Sequence, residues 1–250
     1  MTCNVLIPNW PHIKNIRAYS TTKHGGISKN TYAFLNLGDH VGDIEADVLK
    51  NRSILHEELK MPSNPFWLNQ THSAICVNID ESKNNNADAA ITANKGKILA
   101  VMTADCLPIL LCAKNGLEIA AIHAGWRGLC NGVIENTLTK MRSPKNEIMA
   151  WFGPTICGNC YEVGHDVYDL FMLQYNDLGF VKYNNKWLLN TKKIARHILE
   201  KHNISAIYSC ERCTFEEKEH FFSYRRDVCS QKFGLQQGVT GRMATLIWME

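Results

Sequence analysis

Along the chain, segments whose hydrophobic residues recur with the period of a helix are interspersed with short, continuous apolar runs. A period near 3.6 residues predicts helices over 43–60, 128–141, 163–175 and 190–202, with Asp43 and either Asn190 or Thr191 as N-caps. Short apolar runs predict strands over 66–79, 97–102, 107–113, 117–122, 204–209, 221–224 and 244–249. A turn at Asn184-Asn185 predicts a hairpin over 181–187. Because helices and strands mix throughout, the pattern favours an α/β fold of layered sheets and helices.

Length and composition indicate one folded unit. The chain has 250 residues, of which 45% are hydrophobic, and no Pro/Gly/Ser-rich linker divides it, so we expect a single domain over 1–250. Its 27 basic and 24 acidic residues are mixed along the sequence, which gives no support to binding of nucleic acid or a membrane surface. Without a signal-like or membrane-spanning apolar segment, we expect a cytoplasmic protein.

The chain has ten cysteines. Because we expect it in a reducing compartment, these residues are more often free thiols or metal ligands than disulfides. Two pairs, Cys157-x-x-Cys160 and Cys210-x-x-Cys213, have the spacing of zinc ligands, although the pairs start 53 residues apart. One hypothesis is therefore a non-catalytic binding module that is stabilised by a closed four-cysteine zinc site. The alternative is that these residues are buried or incidental thiols.

Three segments each place one potential metal ligand beside a turn. They are 69–72 with His72, 103–106 with Cys106, and 122–128 with His123. Two histidines and one cysteine with a fourth position open are typical of a catalytic zinc site, because structural zinc sites are normally closed by four protein ligands. Taken singly, His123 also fits a core histidine bonded to the backbone, and Cys106 fits a buried thiol.

Charged residues near these segments are candidates for proton transfer and anion binding. Asp105 precedes Cys106, where it is either a proton carrier or the first residue of an Asx-turn. The Gly-rich turn at 124–128 precedes a predicted helix and could bind phosphate through its backbone N–H groups, unless its glycines serve only steric needs. The cations that could bind phosphate or substrate are Lys23, Arg127, Arg225, Arg226 and Arg242.

Seven motifs, in order along nearly the whole chain, resemble the YfiH-like family, also called the laccase-domain or multicopper polyphenol oxidase family. They are NQTHS around His72, ADAAIT at 87–92, TADCLPILL around Cys106, AAIHAGWRGL around His123, GPTICGNCYEVG from Gly153, FFSYRRD from Phe221 and TGR from Thr240. Two positions depart from the family pattern. Lys23 stands where the family usually has arginine, and the Cys157 to Cys160 stretch replaces a more Gly-rich segment.

The resemblance implies a fold, a metal and an activity. The fold would be a single-domain α/β/β/α sandwich with mixed sheets, akin to that of Cys-dependent deamidase toxins. The family's zinc ligands correspond to His72, Cys106 and His123. The activity would be phosphorolysis of adenosine, inosine, guanosine and S-methyl-5'-thioadenosine, with adenosine deamination as a companion reaction, so purine nucleosides and phosphate would be the binding partners. Zinc would activate water or orient phosphate at the open position.

The sequence leaves two other enzymatic hypotheses open. Cys106 and His123 could work without metal as nucleophile and base of an amide hydrolase, as in the toxin relatives of the fold. The family's older name implies a copper-dependent polyphenol oxidase, although multicopper oxidation needs more histidines than these segments supply. In the leading hypothesis Asp105, Cys106 and His123 are catalytic. The oligomeric state is left open, and a monomer is compatible with the sequence.

Overall fold

Two mixed β-sheets stack face to face at the centre of the protein, and helices cover both outer faces. The computed structural model describes residues 3–229 and 239–250. The first sheet contains β1 (Val5–Leu6), β2 (Ile16–Thr21), β3 (Phe66–Trp67), β6 (Ile98–Thr103) and β14 (Met243–Met249), in the order β1-β2-β14-β6-β3. The second contains β4 (Cys76–Asn78), β5 (Ala89–Thr92), β7 (Leu107–Ala113), β8 (Ile119–Ala124), β9 (Ile148–Phe152) and β13 (Ala206–Ser209), in the order β13-β9-β7-β8-β5-β4.

The remaining elements lie around this pair of sheets. The α-helices are α1 (Glu45–Glu58), α2 (Trp126–Cys130), α3 (Val133–Lys140), α4 (His165–Tyr175) and α5 (Thr191–Lys201). A third sheet of three antiparallel strands has the order β10-β12-β11, with β10 (Glu162–Val163), β11 (Phe180–Tyr183) and β12 (Lys186–Leu189). Within the described ranges, no helix is both long enough and apolar enough to cross a membrane.

Three apolar clusters define the layers. Leu110, Trp151 and Ile247 belong to the cluster that fills the space between the two large sheets. Leu55 of α1 packs with strand residues such as Trp248 on the outer face of the five-stranded sheet. The third cluster joins the outer face of the six-stranded sheet to the other helices, through residues such as Ile109, Ile122, Ile134, Phe171 and Ile198. The predicted α/β/β/α layering is therefore confirmed.

The central strands are formed where the sequence is continuously apolar. All residues of β6, β7 and β8 are buried, because each of these strands is covered on both faces. The predictions for these strands and for β13, β14, α4, α5 and the β11–β12 hairpin are confirmed to within a few residues. At α5, the Asn190 side chain accepts a hydrogen bond from the backbone N–H of Lys193, which confirms it as the N-cap.

Four local predictions are wrong. The predicted strand over 66–79 is two short strands separated by a loop that contains His72. The predicted helix over 128–141 is two helices, because Gly132 between them has a φ of 89°. Residues 221–224 form no strand. Asp43 does not cap α1: the N-cap residue is Ile44, and the Asp43 carboxylate instead accepts hydrogen bonds from two side chains of the preceding loop, Ser28 and Asn36.

Candidate functional site

The side chains of His72, Cys106 and His123 come together at one edge of the six-stranded sheet. Their potential ligand atoms all lie within 4.8 Å of one another. His72 Nε2 is 3.7 Å from Cys106 Sγ, and the centroids of the two imidazole rings are 4.9 Å apart. The three segments that the sequence singled out are therefore neighbours in space.

Strand register accounts for two of these three positions. β7 and β8 are antiparallel, and Leu107 at the start of β7 pairs with Ala124 at the end of β8. Cys106 comes directly before β7 and His123 is the second-last residue of β8, so the register brings them to the same edge. The turn of residues 104–106 also carries the chain from β6 in one large sheet to β7 in the other.

The loop that carries His72 is fixed to the strands by side chains. Gln70 accepts a hydrogen bond from the backbone N–H of Met102 (2.7 Å) and donates one to the carbonyl of the same residue (2.8 Å), as a neighbouring strand would. His72 itself has a φ of 60°, which is uncommon for a residue other than glycine. The loop thus holds His72 in a backbone conformation that local sequence preference does not favour.

Asp88, which directly precedes β5, joins the two histidine segments. Its Oδ1 atom accepts a hydrogen bond from Nδ1 of His123 (2.8 Å) and from the backbone N–H of His72 (3.0 Å). Its Oδ2 atom accepts hydrogen bonds from the backbone N–H groups of Thr71 and Ser73 and from the Ser73 hydroxyl. With Nδ1 of His123 engaged by the carboxylate, Nε2 is left for the cluster, an arrangement typical of histidines that bind metals.

The electrostatics of the group favour a thiolate at Cys106. Burial alone raises the pKa of this thiol, but the charge and hydrogen bonds of His123 and His72 outweigh burial and lower the pKa to about 6. Burial likewise lowers the pKa of His123, yet Cys106 and Asp88 together raise that pKa to about 9. For Asp88, burial raises the pKa, and hydrogen bonds from His123 and Ser73 overcome this and bring the pKa to about 2.

Gly125 leaves room for the three ligands. A Cβ atom at this position would lie 2.7 Å from Cδ2 of His72 and 3.2 Å from Sγ of Cys106. Any side chain here would therefore push His72 or Cys106 out of place. This agrees with the steric explanation of the Gly-rich turn. The following helix, α2, has only five residues, so its dipole adds little to anion binding at this turn.

A cavity of about 450 Å³ opens beside the three ligands. This volume lies within the range of small-molecule binding sites, about 300–1,000 Å³. Three of the predicted cations, Arg127, Arg225 and Arg242, line the cavity. The aromatic residues Trp126, Tyr161 and Tyr224 also line it, and the guanidinium groups of Arg127 and Arg225 lie over the rings of Trp126 (4.3 Å) and Tyr161 (5.2 Å). The cavity thus combines positive charge with flat apolar surfaces.

The other two predicted cations are not among the residues that line the cavity. The ammonium group of Lys23 donates a hydrogen bond to the carbonyl of Lys218 (2.6 Å). Arg226 donates hydrogen bonds to the carbonyls of Thr214, Phe215 and Phe221 and thereby ties together the loop that precedes it. In the structure both side chains hold backbone segments in place.

Asp105 lies at the cavity wall with an almost fully buried carboxylate. The carboxylate accepts hydrogen bonds from the hydroxyls of Thr214 (2.6 Å) and Ser223 (2.9 Å) and from the backbone N–H of Arg225 (2.7 Å). Burial raises the pKa of Asp105, and these three hydrogen bonds oppose the rise without cancelling it. Asp105 also has a φ of 95°, so the second ligand turn, like the first, contains an unfavoured backbone conformation.

The cysteine pairs do not combine as the spacing suggested. Cys157, Cys160 and Cys213 lie together with Glu216, whereas Cys210 is not part of the group and packs beside the cluster between the sheets. The hypothesis of a closed site made of the four cysteines Cys157, Cys160, Cys210 and Cys213 is therefore wrong in its fourth ligand.

Sequence reasoning missed the residues that support the ligands. Asp88 lies within the ADAAIT motif, Gln70 within NQTHS and Tyr161 within GPTICGNCYEVG, but residue type and spacing alone give these three residues no role. Their motif membership was the available signal. Their partners are 15 to 35 residues away in the chain for Asp88 and 32 for Gln70, so local patterns could not reveal the contacts.

Fold and site together define a class of protein, a four-layer α/β protein with an open His/His/Cys group beside a cationic cavity. The family model described as multi-copper polyphenol oxidoreductase laccase matches residues 17–250, and the chain belongs to this family. A Haemophilus influenzae protein named purine nucleoside phosphorylase is 43% identical over 97% of this chain and 98% of its own. An Escherichia coli protein named purine nucleoside phosphorylase YfiH is 39% identical over 98% of both chains.

Solved structures resemble the protein over nearly the whole chain. A Neisseria meningitidis protein of the DUF152 family has a TM-score of 0.89 and 40% identity, and the match covers 99% of each chain. YlmD from Geobacillus stearothermophilus has a TM-score of 0.83 and 32% identity, and the match covers 95% of this chain and 93% of that one. The mixed α/β fold is thus shared with members of this family.

Proposed function

We propose that the protein is a zinc-dependent purine nucleoside phosphorylase with a companion adenosine deaminase activity. The observation that carries the proposal is the convergence of His72, Cys106 and His123 on one point at the wall of a cationic cavity. The names of relatives up to 43% identical support the reaction class. The expected substrates are purine nucleosides (adenosine, inosine, guanosine and S-methyl-5'-thioadenosine) and phosphate, bound within one domain over 1–250.

The donor set fits zinc. Two imidazoles and one thiolate are ligands that zinc accepts readily, and three protein ligands leave a fourth position for substrate. The Asp88 carboxylate fixes the His123 ring so that Nε2 carries its lone pair towards the cluster. When bound, zinc would supply a Lewis acid that lowers the pKa of water or polarises phosphate. Copper is the less favoured metal, because a multicopper site needs further histidines. Among the described residues, the other group of potential metal ligands contains no histidine; it consists of Cys157, Cys160, Cys213 and Glu216.

The cavity suits both reactants of phosphorolysis. In this reaction a phosphate oxygen forms a bond to C1' of the ribose while the bond from C1' to the purine nitrogen breaks, which gives ribose 1-phosphate. Arg127, Arg225 and Arg242 can bind the phosphate, because guanidinium groups pair with its oxygens through two parallel hydrogen bonds. The aromatic side chains of Trp126, Tyr161 and Tyr224 line the same cavity and supply apolar surface for the flat purine.

The departing purine needs a proton, and we assign its transfer to Asp105. Burial raises the pKa of this carboxyl group, so the protonated form is favoured more than for an exposed aspartate. Asp105 precedes the ligand Cys106 and lines the cavity. In deamination water adds to the purine carbon that bears the amine, and ammonia leaves to give inosine.

A direct test uses the purified protein with adenosine, with and without phosphate, and separates the products by chromatography. Adenine and ribose 1-phosphate that appear only with phosphate support phosphorolysis, and inosine supports deamination. His123→Ala should lose the zinc ion of this site and phosphorolysis together, whereas a variant with the zinc content and activity of wild type would refute the metal site. Asp105→Asn should reduce kcat without removing zinc, and an unchanged kcat would remove Asp105 from the mechanism.

The second candidate function is a metal-free amide hydrolase in which Cys106 attacks and His123 is the base. The low pKa of the Cys106 thiol beside His123 favours it. Alkylation by iodoacetamide separates the two hypotheses. In the zinc enzyme Cys106 is protected until a chelator is added, whereas in the hydrolase it reacts at once and activity is lost with or without chelator.

A further inference from the structure

A second group of metal ligands lies outside the cavity. It consists of Cys157, Cys160, Cys213 and Glu216, whose potential ligand atoms are all within 4.8 Å of one another. Cys157 and Cys160 come from the loop between β9 and β10, and Cys213 and Glu216 come from the loop that follows β13. The group thus connects two loops that are more than 50 residues apart in the chain.

We infer that these four residues form a structural zinc site of three thiolates and one carboxylate. Neighbouring sulfur atoms around a tetrahedral zinc ion lie about 3.8 Å apart, since each bond from zinc to sulfur is about 2.3 Å long. The spacing in the structure therefore requires only a small inward movement. Four protein donors complete the coordination of zinc and leave no position for a substrate, which distinguishes this site from the open one.

Two backbone hydrogen bonds lie within the cysteine cluster. The N–H of Cys160 donates to the carbonyl of Cys157 (3.0 Å), which closes a tight turn in the Cys-x-x-Cys segment, and its two thiols lie within 4.8 Å of each other. The N–H of Cys157 donates to Sγ of Cys213 (3.3 Å). A hydrogen bond of this kind stabilises negative charge on the sulfur and orients it.

A disulfide is the main alternative for closely spaced cysteines. A disulfide would use two of the sulfur atoms and give no role to the third thiol or to Glu216. Zinc uses all four groups, with the thiolates as preferred ligands and the carboxylate as the fourth. Glu216 is exposed and Cys157 and Cys160 are partly exposed, so the ion has a path to the site.

The site would hold the wall of the cavity in place. Thr155 forms an isolated bridge to Cys213, and its hydroxyl donates to the carbonyl of Asp105 (2.6 Å). Thr214, next to Cys213, donates to the Asp105 carboxylate, and Tyr161, next to Cys160, lines the cavity. Zinc at this site would thus cross-link the two loops that position Asp105 and Tyr161.

Metal analysis of the zinc-loaded protein tests the inference by counting. Wild-type protein should hold two zinc ions per chain, His72→Ala one, the double variant Cys157→Ser/Cys160→Ser one, and the combination of both changes none. Cys210→Ser is the matched control, because this cysteine has the spacing of a ligand but lies outside the cluster, and it should still hold two. One zinc in wild-type protein that only His72→Ala removes would overturn the second site.

The same count separates this inference from the proposed function. If the Cys157→Ser/Cys160→Ser variant loses one zinc and His72→Ala loses none, the second site stands and the catalytic zinc is refuted. Alkylation of wild-type protein followed by mass spectrometry avoids any failure of the variants to fold. Cys157 and Cys160 should be protected until a chelator is added. Rapid alkylation without chelator, or a disulfide between them, would overturn the proposal.

Discussion

Replacing Asp88 with asparagine should weaken zinc binding while leaving the fold in place. The Asp88 carboxylate accepts five hydrogen bonds, from three backbone N–H groups, the Ser73 hydroxyl and Nδ1 of His123. An amide of the same shape has only one oxygen, so its NH₂ group must face one set of these donors. If it faces His123, the imidazole accepts at Nδ1 and carries its proton on Nε2, the nitrogen that the metal needs.

The size of the effect follows from the role of such partners in metal sites. Loss of the carboxylate behind a metal-binding histidine typically costs 10- to 100-fold in metal affinity, or about 1.4–2.7 kcal/mol. The assay is competition for zinc with a chromogenic chelator, with kcat/KM for phosphorolysis measured in parallel. Asp80→Asn is the control, since Asp80 accepts two hydrogen bonds next to β5 but lies outside the ligand group. Unchanged zinc affinity in Asp88→Asn would refute the reasoning.

A second readout separates positioning of His123 from a purely structural role. In the metal-free protein the negative charge of Asp88 helps to raise the pKa of His123, and the imidazolium in turn lowers the pKa of Cys106. Asp88→Asn removes the first of these effects. The pH midpoint for alkylation of Cys106 should therefore move upwards in this variant, whereas general destabilisation would leave the midpoint where it is and change only the melting temperature.

Three further predictions test other parts of the site. In metal-free protein, alkylation of Cys106 should be rapid at pH 7 and should slow only below about pH 6. A pKa of about 6 leaves about 90% thiolate at pH 7, against about 1% for an ordinary thiol of pKa 9.0. A midpoint near pH 9 would contradict the effect of the neighbouring histidines on this thiol. Gly125→Ala should displace His72 and lower zinc affinity at least tenfold, while the circular dichroism spectrum stays unchanged. Zinc affinity equal to that of wild type would show that the backbone of the turn can move to accommodate the methyl group. Arg127→Ala should raise the KM for phosphate tenfold or more, since a charged hydrogen bond contributes about 1.5–3 kcal/mol. The control is Arg196→Ala on the surface of α5, which should leave this KM unchanged. Equal KM values in the two variants would exclude Arg127 from phosphate binding.

The sequence was most informative where chemistry and burial coincide. The fully apolar runs of β6, β7 and β8 could be predicted as buried strands, and the ligand segments at their ends followed from residue type. The loop around His72 could not, because alternating residues over 66–79 resemble a strand and nothing local signals a φ of 60°. A strand pattern predicts pairing with neighbouring strands, but residues 69–75 are exposed or partly exposed, and side chains such as Gln70 fasten this loop to β6 in place of strand pairing.

Charged residues were the least predictable part of the site. A sequence shows that an arginine is present but not which carbonyl groups surround it. Arg226 donates to three backbone carbonyls and does not line the cavity, whereas Arg242 donates to the carbonyls of Thr240 and Gly241 and does line it. In the same way, the spacing of Cys210 and Cys213 is identical to that of Cys157 and Cys160, and only the fold shows that Cys210 lies apart.

The two unfavoured backbone conformations, at His72 and Asp105, set a limit on how the protein can be made more heat-resistant. Glycine at position 72 would relieve the local strain, and a screen that rewards only a higher melting temperature would tend to accept it although a potential metal ligand is lost. At position 105 the same change would also leave three hydrogen-bond donors without the carboxylate that they contact, so Asp105 contributes stability as well as strain. Directed evolution of this scaffold therefore needs selection for turnover as well as for stability, because the residues that cost the fold most at these turns are those that the chemistry uses.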